Sequence, residues 1–466
     1  MAQISSLPED VTGLVASLVQ QGRDAAAKGD MSEAELKLSQ AVTLDPANTS
    51  ALINYGAFLI ETKNFEWGRH FTEKALEAPD LAPSDAAVVY NNLAFLDYRV
   101  RRIPEAMERF EKSIAADPWY KIPLVSKGAA QVVMGKLDEA YDTFDKASLI
   151  DPCGFEPTYN KSIVKMTQGD WTYGLPGYEL RKLDPAEATA WPNLPRWKGE
   201  SLEGKCIVAW AEQGFGDNIW AHRLVLELVK RGADKVYLCT YPPLEEILPT
   251  PGIELLRAGD TVDRLHLQVP IMSLLYGLRI RPDSPPAPAG IEPSPLARRR
   301  WEGVAEKGKL NVGISWSGNI NHKFDDLRSI PLRAFADMGK DLDEDISWHA
   351  LQKDIRPGDG EALGSSKIKF YGEKIQTFAD VAAIVEQMDL VITVDTAALH
   401  VAAEMGKPTW ALIPYAPDFR YGTKGTTLPW YPSLKMYRKN TPLGGDWEAT
   451  LAKVRRDLRS VIWRRR

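Results

Sequence analysis

Three short stretches carry side chains whose types and spacing suit chemistry on an anionic ligand. Gly214-Phe215-Gly216-Asp217 stands between an apolar run, CIVAWAE (206–212), and a helical one, NIWAHRLVLELVKRG. Glycines there permit a tight turn and close approach of a ligand, and helix-end amides favour an anion. The pattern is not G-x-G-x-x-G, so it gives no dinucleotide signature. Asp217 has two readings, a carboxylate that accepts a proton from a hydroxyl or a helix cap. The second stretch is Asp395-Thr396-Ala397-Ala398-Leu399-His400, which follows LVITV. Its small residues leave amides open at a helix start, Thr396 can add a hydroxyl to a diphosphate, and His400 lies one turn further on. Asp395 reads equally as a cap and His400 as a core histidine. The third is NINHKFDDLRSIPL (319–332), where His322, Lys323 and Arg328 are cations beyond a strand end. Cations placed there could neutralise a leaving group, or simply decorate a basic surface loop. The Asp325-Asp326 pair and DLDED (341–345) read as solvated acidic turns rather than a metal site.

The elements that must position these residues change character along the chain. From residue 186 onward, short β-rich runs alternate with helical ones, the pattern of parallel α/β sheets. Predicted strands are 206–212, 235–241, 310–318, 346–352, 368–372, 390–395 and 408–414, with helices over 378–388 and 398–406. A proline-rich stretch, RPDSPPAPAG (281–290), separates two sets and predicts a crossover between two Rossmann-like lobes. Ligands of such sheets sit beyond the carboxyl ends of the strands.

The first 185 residues obey a different ruler. Asp-Pro recurs at 45, 117, 151 and 184, spacings of 72, 34 and 33, with Ala-Pro-Asp standing near residue 80. Alanines precede Asp45 at Ala41 and Ala34 and precede Asp151 at Ala147 and Ala140; Gly29 and Gly135 also match. The register is looser at Ser113 and Ala106, and at Ala75 and Gly68. Small residues let two helices approach closely, glycine turns the chain, and proline ends the second helix. These units resemble tetratricopeptide repeats. Four are expected, at about 12–46, 50–79, 84–118 and 119–152, and a degenerate fifth at 153–185. Such a stack presents a concave surface to a peptide or partner protein, or braces the neighbouring domain.

With those motifs in order, residues 186–466 resemble the glycosyltransferases related to ADP-heptose:lipopolysaccharide heptosyltransferases. The matching pieces are GFGDNIWAHRL, GISWSGN…DDLRSIPL, VITVDTAALHVAAEMGKPTW and PWYPSLKMYRK. The whole order is similar to bacterial proteins that fuse tetratricopeptide repeats to such a domain. The resemblance implies an α + α/β chain: a repeat solenoid over 1–185, then a GT-B fold. Its amino-terminal lobe, 186–290, would face the acceptor and its carboxyl-terminal lobe, 291–466, the donor. It also implies inverting sugar transfer from a nucleotide-diphosphate donor, without cofactor or metal. Asp217 would be the base and Arg328, where the family carries lysine, the catalytic cation. Gly214, Gly216, Ser317, Gly318, Asn319 and Lys323 would bind the donor, together with Gln352, Asp395, Thr396, Ala397 and His400. Ala397 replaces the family's usual glycine. A non-catalytic repeat scaffold and a nucleotide-sugar epimerase remain alternatives.

Composition narrows the setting. The chain has 466 residues, 44% hydrophobic and 26% charged, the balance of a globular protein of several domains. Residues 1–184 hold 27 acidic and 19 basic side chains (−8) and the rest 36 and 38 (+2), which gives the net −6. The ending VRRDLRSVIWRRR is read as a solvated basic helix end, with contact to a polyanion as the second reading. Cys153, Cys206 and Cys239 are too scattered for a disulfide framework. No run suits a membrane span and the start does not read as a signal peptide, so cytoplasmic chemistry is expected. The expected partners are a nucleotide-sugar, an acceptor (peptide, glycan or modified DNA base), and a protein bound through the repeats.

Overall fold

The structure, a computed structural model, describes residues 9–78, 81–181, 191, 193–248, 250–257, 260, 262, 264–322, 324–442 and 447–465. Pro79-Asp80, Asp184-Pro185 and Lys323 lie outside the described residues. The chain divides into two compact units, Met1–Lys161 and Ser162–Arg466. The degenerate fifth repeat, 153–185, straddles that division.

In the first unit, the Asp-Pro ruler becomes helix ends. The helices are α1 (Glu9–Ala27), α2 (Met31–Leu44), α3 (Thr49–Glu61), α4 (Phe65–Leu76), α5 (Pro83–Arg99), α6 (Ile103–Ala116), α7 (Ile122–Val133) and α8 (Leu137–Ile150). Asp45, Asp117 and Asp151 are the C-caps of α2, α6 and α8, and their N–H groups donate to Ala41, Ser113 and Ala147. The proline that follows each cannot continue the helix. Successive helices pack antiparallel in pairs, and each pair stacks on the next. Ala34, Ala41, Ala106, Ala140 and Ala147 are completely buried where the helices cross. Gly128 shows why: a Cβ there would lie 2.5 Å from the Phe144 ring. Each pair turns through one left-handed residue: Gly29 (φ +81°) and Gly135 (φ +72°), but Lys63 and Arg101 (both φ +66°) in the two pairs between.

The second unit begins within α9 (Phe155–Thr167), which is followed by α10 (Trp171–Tyr178). Two parallel sheets then form. Strands β1 (Cys206–Trp210), β2 (Lys235–Cys239), β3 (Ile253–Leu255) and β4 (Leu267–Pro270) assemble in the order β3-β2-β1-β4, and α11 (Phe215–Lys230) follows β1. The second sheet uses β5 (Leu310–Ser315), β6 (Ile346–Ala350), β7 (Leu390–Val394), β8 (Thr409–Ile413), β9 (Thr427–Leu428) and β10 (Tyr431–Arg438). Its order is β6-β5-β7-β8-β10-β9, parallel except for the β9–β10 pair. Helices α12 (Leu332–Gly339), α13 (Phe378–Glu386), α14 (Ala397–Glu404) and α15 (Glu448–Arg465) accompany it. Strands β1, β5, β6 and β7 are buried along their whole length, as parallel sheets covered on both faces require.

The strand expected at 368–372 does not form. Lys369 makes only an isolated bridge to His349 beside β6, the edge strand. Gly372 then turns left-handed at φ +52° and opens a single 3-10 turn, so the extended run stops after one pairing. The carboxyl-terminal helix α15 is seated by Leu451, Val454, Leu458 and Ile462 on a core that includes Trp316, Phe335 and Trp348. Among the described residues, no helix is long and apolar enough to cross a membrane.

Candidate active site

Both motif aspartates sit at strand-to-helix junctions, for the reason the sequence suggested. In the first lobe β1 ends at Trp210, and Gly214 is the extended residue that opens α11. Asp217 Oδ2 accepts the Gly214 N–H at 2.9 Å, so this carboxylate does cap its helix. Its other oxygen, Oδ1, accepts a hydrogen bond from Arg420 Nη1 at 2.6 Å. Gly216 lies against the second lobe: a Cβ there would sit 2.9 Å from His400 Cδ2. Phe215 is 41% exposed, and its ring meets Phe378 at 5.2 Å and Tyr241 at 5.6 Å.

In the second lobe β7 delivers Asp395, and Thr396 opens α14 with an extended backbone and no side-chain cap. Ala397 is the first helical residue. Tyr421 Oη donates to Asp395 Oδ1 at 2.6 Å. Burial pushes the Asp395 carboxyl up, against the opposing pull of Arg420. Thr396 Oγ1 lies 3.3 Å from Thr393 Oγ1. His400 is buried, with Nδ1 3.0 Å from Tyr431 Oη. Burial, reinforced by Arg420 and Arg223, drops its pKa well below the ordinary histidine value. It is therefore a neutral imidazole at the contact between lobes.

The loop after β5 forms the third wall. Gln352 Oε1 accepts the N–H groups of Trp316 (3.0 Å) and Ser317 (3.3 Å), and its Nε2 donates to Ser317 Oγ (3.1 Å). Gln352 thus shapes the loop. Gly318 N–H donates to Ser329 Oγ, and Asn319 Oδ1 accepts from Asn321 N–H. Arg328 Nη1 donates to the Asp395 backbone oxygen at 3.0 Å, which ties this loop to the β7 junction. Asp325 is not a solvated turn residue: it is buried, with ion pairs to Arg328 and Arg356. Partial desolvation and Arg328 lower His322, while Asp325, Asp395 and Asp217 pull the other way. That histidine lies within electrostatic reach of the aspartates of both lobes. Among the described residues, no three His, Cys, Asp or Glu side chains converge as a metal site.

Sequence reasoning missed the residues that join these walls. Arg420 and Tyr421 occupy one 3-10 turn, Phe419–Tyr421, after β8. No local signal marked Arg420, because its partner Asp217 stands 203 residues away in sequence. The basic terminus is partly neutralised within its own lobe: Arg455 and Arg459 pair with Asp341, and Arg465 with Asp389.

Residues 376–444, which span the Asp395 junction, α14 and the Arg420 turn, match the profile of glycosyltransferase family 9 (heptosyltransferase). The chain thus carries a segment similar to that glycosyltransferase family, following a unit of paired helices built on the repeat seen in the sequence. It is 23% identical over 428 residues to Protein FlbA of Caulobacter vibrioides, a match that covers 83% of this chain and 69% of that one. Among solved structures, MamA is 16% identical, with 36% of this chain and 89% of that one covered and a TM-score of 0.29. For PilF of Pseudomonas aeruginosa the values are 17%, 37%, 77% and 0.33.

Proposed function

We propose that the crevice between Asp217 and the Asp395–His400 segment transfers a sugar, with inversion, from a nucleoside-diphosphate donor to a hydroxyl acceptor. The observation that carries this reading is the meeting of both motif aspartates at one turn of the second lobe, through Arg420 and Tyr421. Asp217 takes the acceptor proton as the hydroxyl oxygen attacks the anomeric carbon. The bond to the diphosphate oxygen breaks, and its electrons stay with the leaving group. Arg328 and the first-turn amides of α14 stabilise that growing charge, a contribution to rate because the charge is larger in the transition state. Gly214, Gly216, Ser317, Gly318, Asn319, Thr396 and Ala397 shape the donor's seat, and Gln352 holds the loop of Ser317. Cationic side chains take the part a metal plays elsewhere, so none is required. The setting we assign is cytoplasmic. The repeats select the acceptor or a partner protein, and a polypeptide acceptor suits a helical solenoid better than a nucleic acid does.

Asp217→Asn is the informative variant, because asparagine keeps an oxygen for the Gly214 N–H. With a panel of UDP-, GDP-, ADP- and CDP-sugars, it should lose about 100-fold or more in nucleoside-diphosphate release while binding the diphosphate normally. Unchanged turnover would remove Asp217 from the chemistry. A second reading has an observation of its own: both oxygens of Asp217 are already engaged, by Gly214 and Arg420. That suits a lock between lobes in a scaffold that binds sugar without transferring it. Diphosphate binding with no release by the wild type under any donor would favour it.

A further inference from the structure

Arg420 stands at the junction of both lobes, and nothing in the motifs pointed to it. Its side chain is 9% exposed and lies between two carboxylates, with Nη1 2.6 Å from Asp217 Oδ1 and Nε 2.7 Å from Asp418 Oδ1. The guanidinium also covers the Trp220 ring, 5.1 Å from its centroid. An arginine clamped this way has one orientation, since its planar fork is met on two edges and stacked on its face.

The backbone that carries it is equally fixed. Asp418 caps the turn by accepting the Arg420 N–H at 3.0 Å. The turn ends at Gly422, whose φ of +58° is open to glycine at little cost. Arg438 then takes the carbonyls beyond it, donating to Tyr421 O (2.6 Å), Gly422 O (3.0 Å) and Gly425 O (2.8 Å). On the same turn, Tyr421 holds Asp395. One rigid turn of the second lobe thus holds a carboxylate from each lobe.

We propose that Arg420 is a positioning residue: it fixes the rotamer of Asp217 and its distance from the Asp395 junction, where the donor sits. The proposal rests on Asp217 being the base. Asp418 shares the guanidinium, so its positive charge is divided between two carboxylates and only partly offsets that of Asp217. A base displaced by about 1 Å can cost about 100-fold in rate, and the cost falls on kcat because donor contacts are untouched.

The test uses the full chain, the best-hydrolysed sugar nucleotide of the same panel, and diphosphate release as readout. Arg420→Gln should lower kcat by about 100-fold with KM within about threefold, and Arg420→Lys should recover part of the loss. Arg420→Gln combined with Asp217→Asn should be no slower than Asp217→Asn alone. An unchanged kcat in Arg420→Gln, a change confined to KM, or additive losses in the double variant would each overturn the proposal. If Asp217→Asn is itself fully active, the base reading fails and the proposal with it. If Asp217→Asn is inactive and Arg420→Gln is not, only the proposal fails. Should the wild type release no diphosphate, a crystal structure of Arg420→Gln decides. An Asp217 carboxylate that keeps its place there overturns the proposal, and a displaced one supports it.

Discussion

Arg223 on α11 and Glu404 on α14 form an ion pair between the two lobes, and neither side chain has any solvent exposure. Arg223 Nε lies 3.1 Å from Glu404 Oε1, and its Nη1 donates to the backbone oxygens of Trp430 (2.6 Å) and Pro286 (3.2 Å). Glu404 Oε2 accepts the Ala289 N–H at 2.6 Å. The proline-rich crossover is therefore bound by the same pair that joins α11 to α14. Removing one partner strands a buried charge, so Glu404→Gln and Arg223→Met should each cost about 3–5 kcal/mol. Replacing both by methionine should cost less than the sum of the two. Urea unfolding of the three variants checks this, and additive losses would show that the charges do not act as a unit.

The motifs were legible because strand ends announce themselves. An apolar run that stops at Asp395, or at the glycines before Asp217, predicts both the element and the place where a ligand would lie. The repeat ruler was legible for a similar reason, since Asp45, Asp117 and Asp151 stop helices by local chemistry. Arg420, Arg223 and Glu404 were opaque because their partners lie 203 and 181 residues away in sequence. Their charges look like surface charges until the sheets bring them together. The failed strand at 368–372 was a limit of another kind, because Phe370 and Tyr371 fit a strand until Gly372 turns the chain.

Two more buried histidines set an acid limit on the second unit. Burial lowers His222 to about 4; burial first, then Lys369, lowers His349 to about 4. Both are native bases that resist protonation, whereas unfolded histidine titrates near 6.5. Their stabilisation is complete above about pH 6.5, declines as pH falls, and is exhausted below about 4. Each contributes at most about 3 kcal/mol. Urea midpoints measured from pH 7.5 to 4.5 should fall steadily below 6.5, and His222→Phe should flatten part of that slope. A slope unchanged by that substitution would assign the acid sensitivity elsewhere.

The left-handed turns of the repeat unit offer a stabilising change. Lys63 and Arg101 adopt φ +66° where Gly29 and Gly135 serve in the flanking pairs. A side chain there costs about 1–2 kcal/mol, and glycine gives back about 0.5–1 kcal/mol in unfolded-chain entropy. Lys63→Gly and Arg101→Gly should therefore each stabilise the repeats by about 0.5–1 kcal/mol. Thermal unfolding of the single and double variants would register it as an upward shift, additive because the turns lie in different pairs.

The close packing of Gly318 on Arg328 yields the last prediction. Gly318 faces Arg328 so tightly that a Cβ would stand 2.5 Å from Nη2 and 2.8 Å from Cζ. Arg328 cannot simply swing aside, because Nη1 is bonded to the Asp395 oxygen and Nε faces Asp325. Gly318→Ala should thus break the Arg328–Asp395 link and mimic Arg328→Ala. Both should slow diphosphate release by about 10- to 100-fold, since the cation then no longer meets the leaving group. The two changes together should be no worse than either alone, because they remove one interaction. Arg328→Lys should keep part of the rate, because a cation stays at this place. If Gly318→Ala leaves turnover intact while Arg328→Ala abolishes it, the guanidinium works from a position other than the one bonded to Asp395.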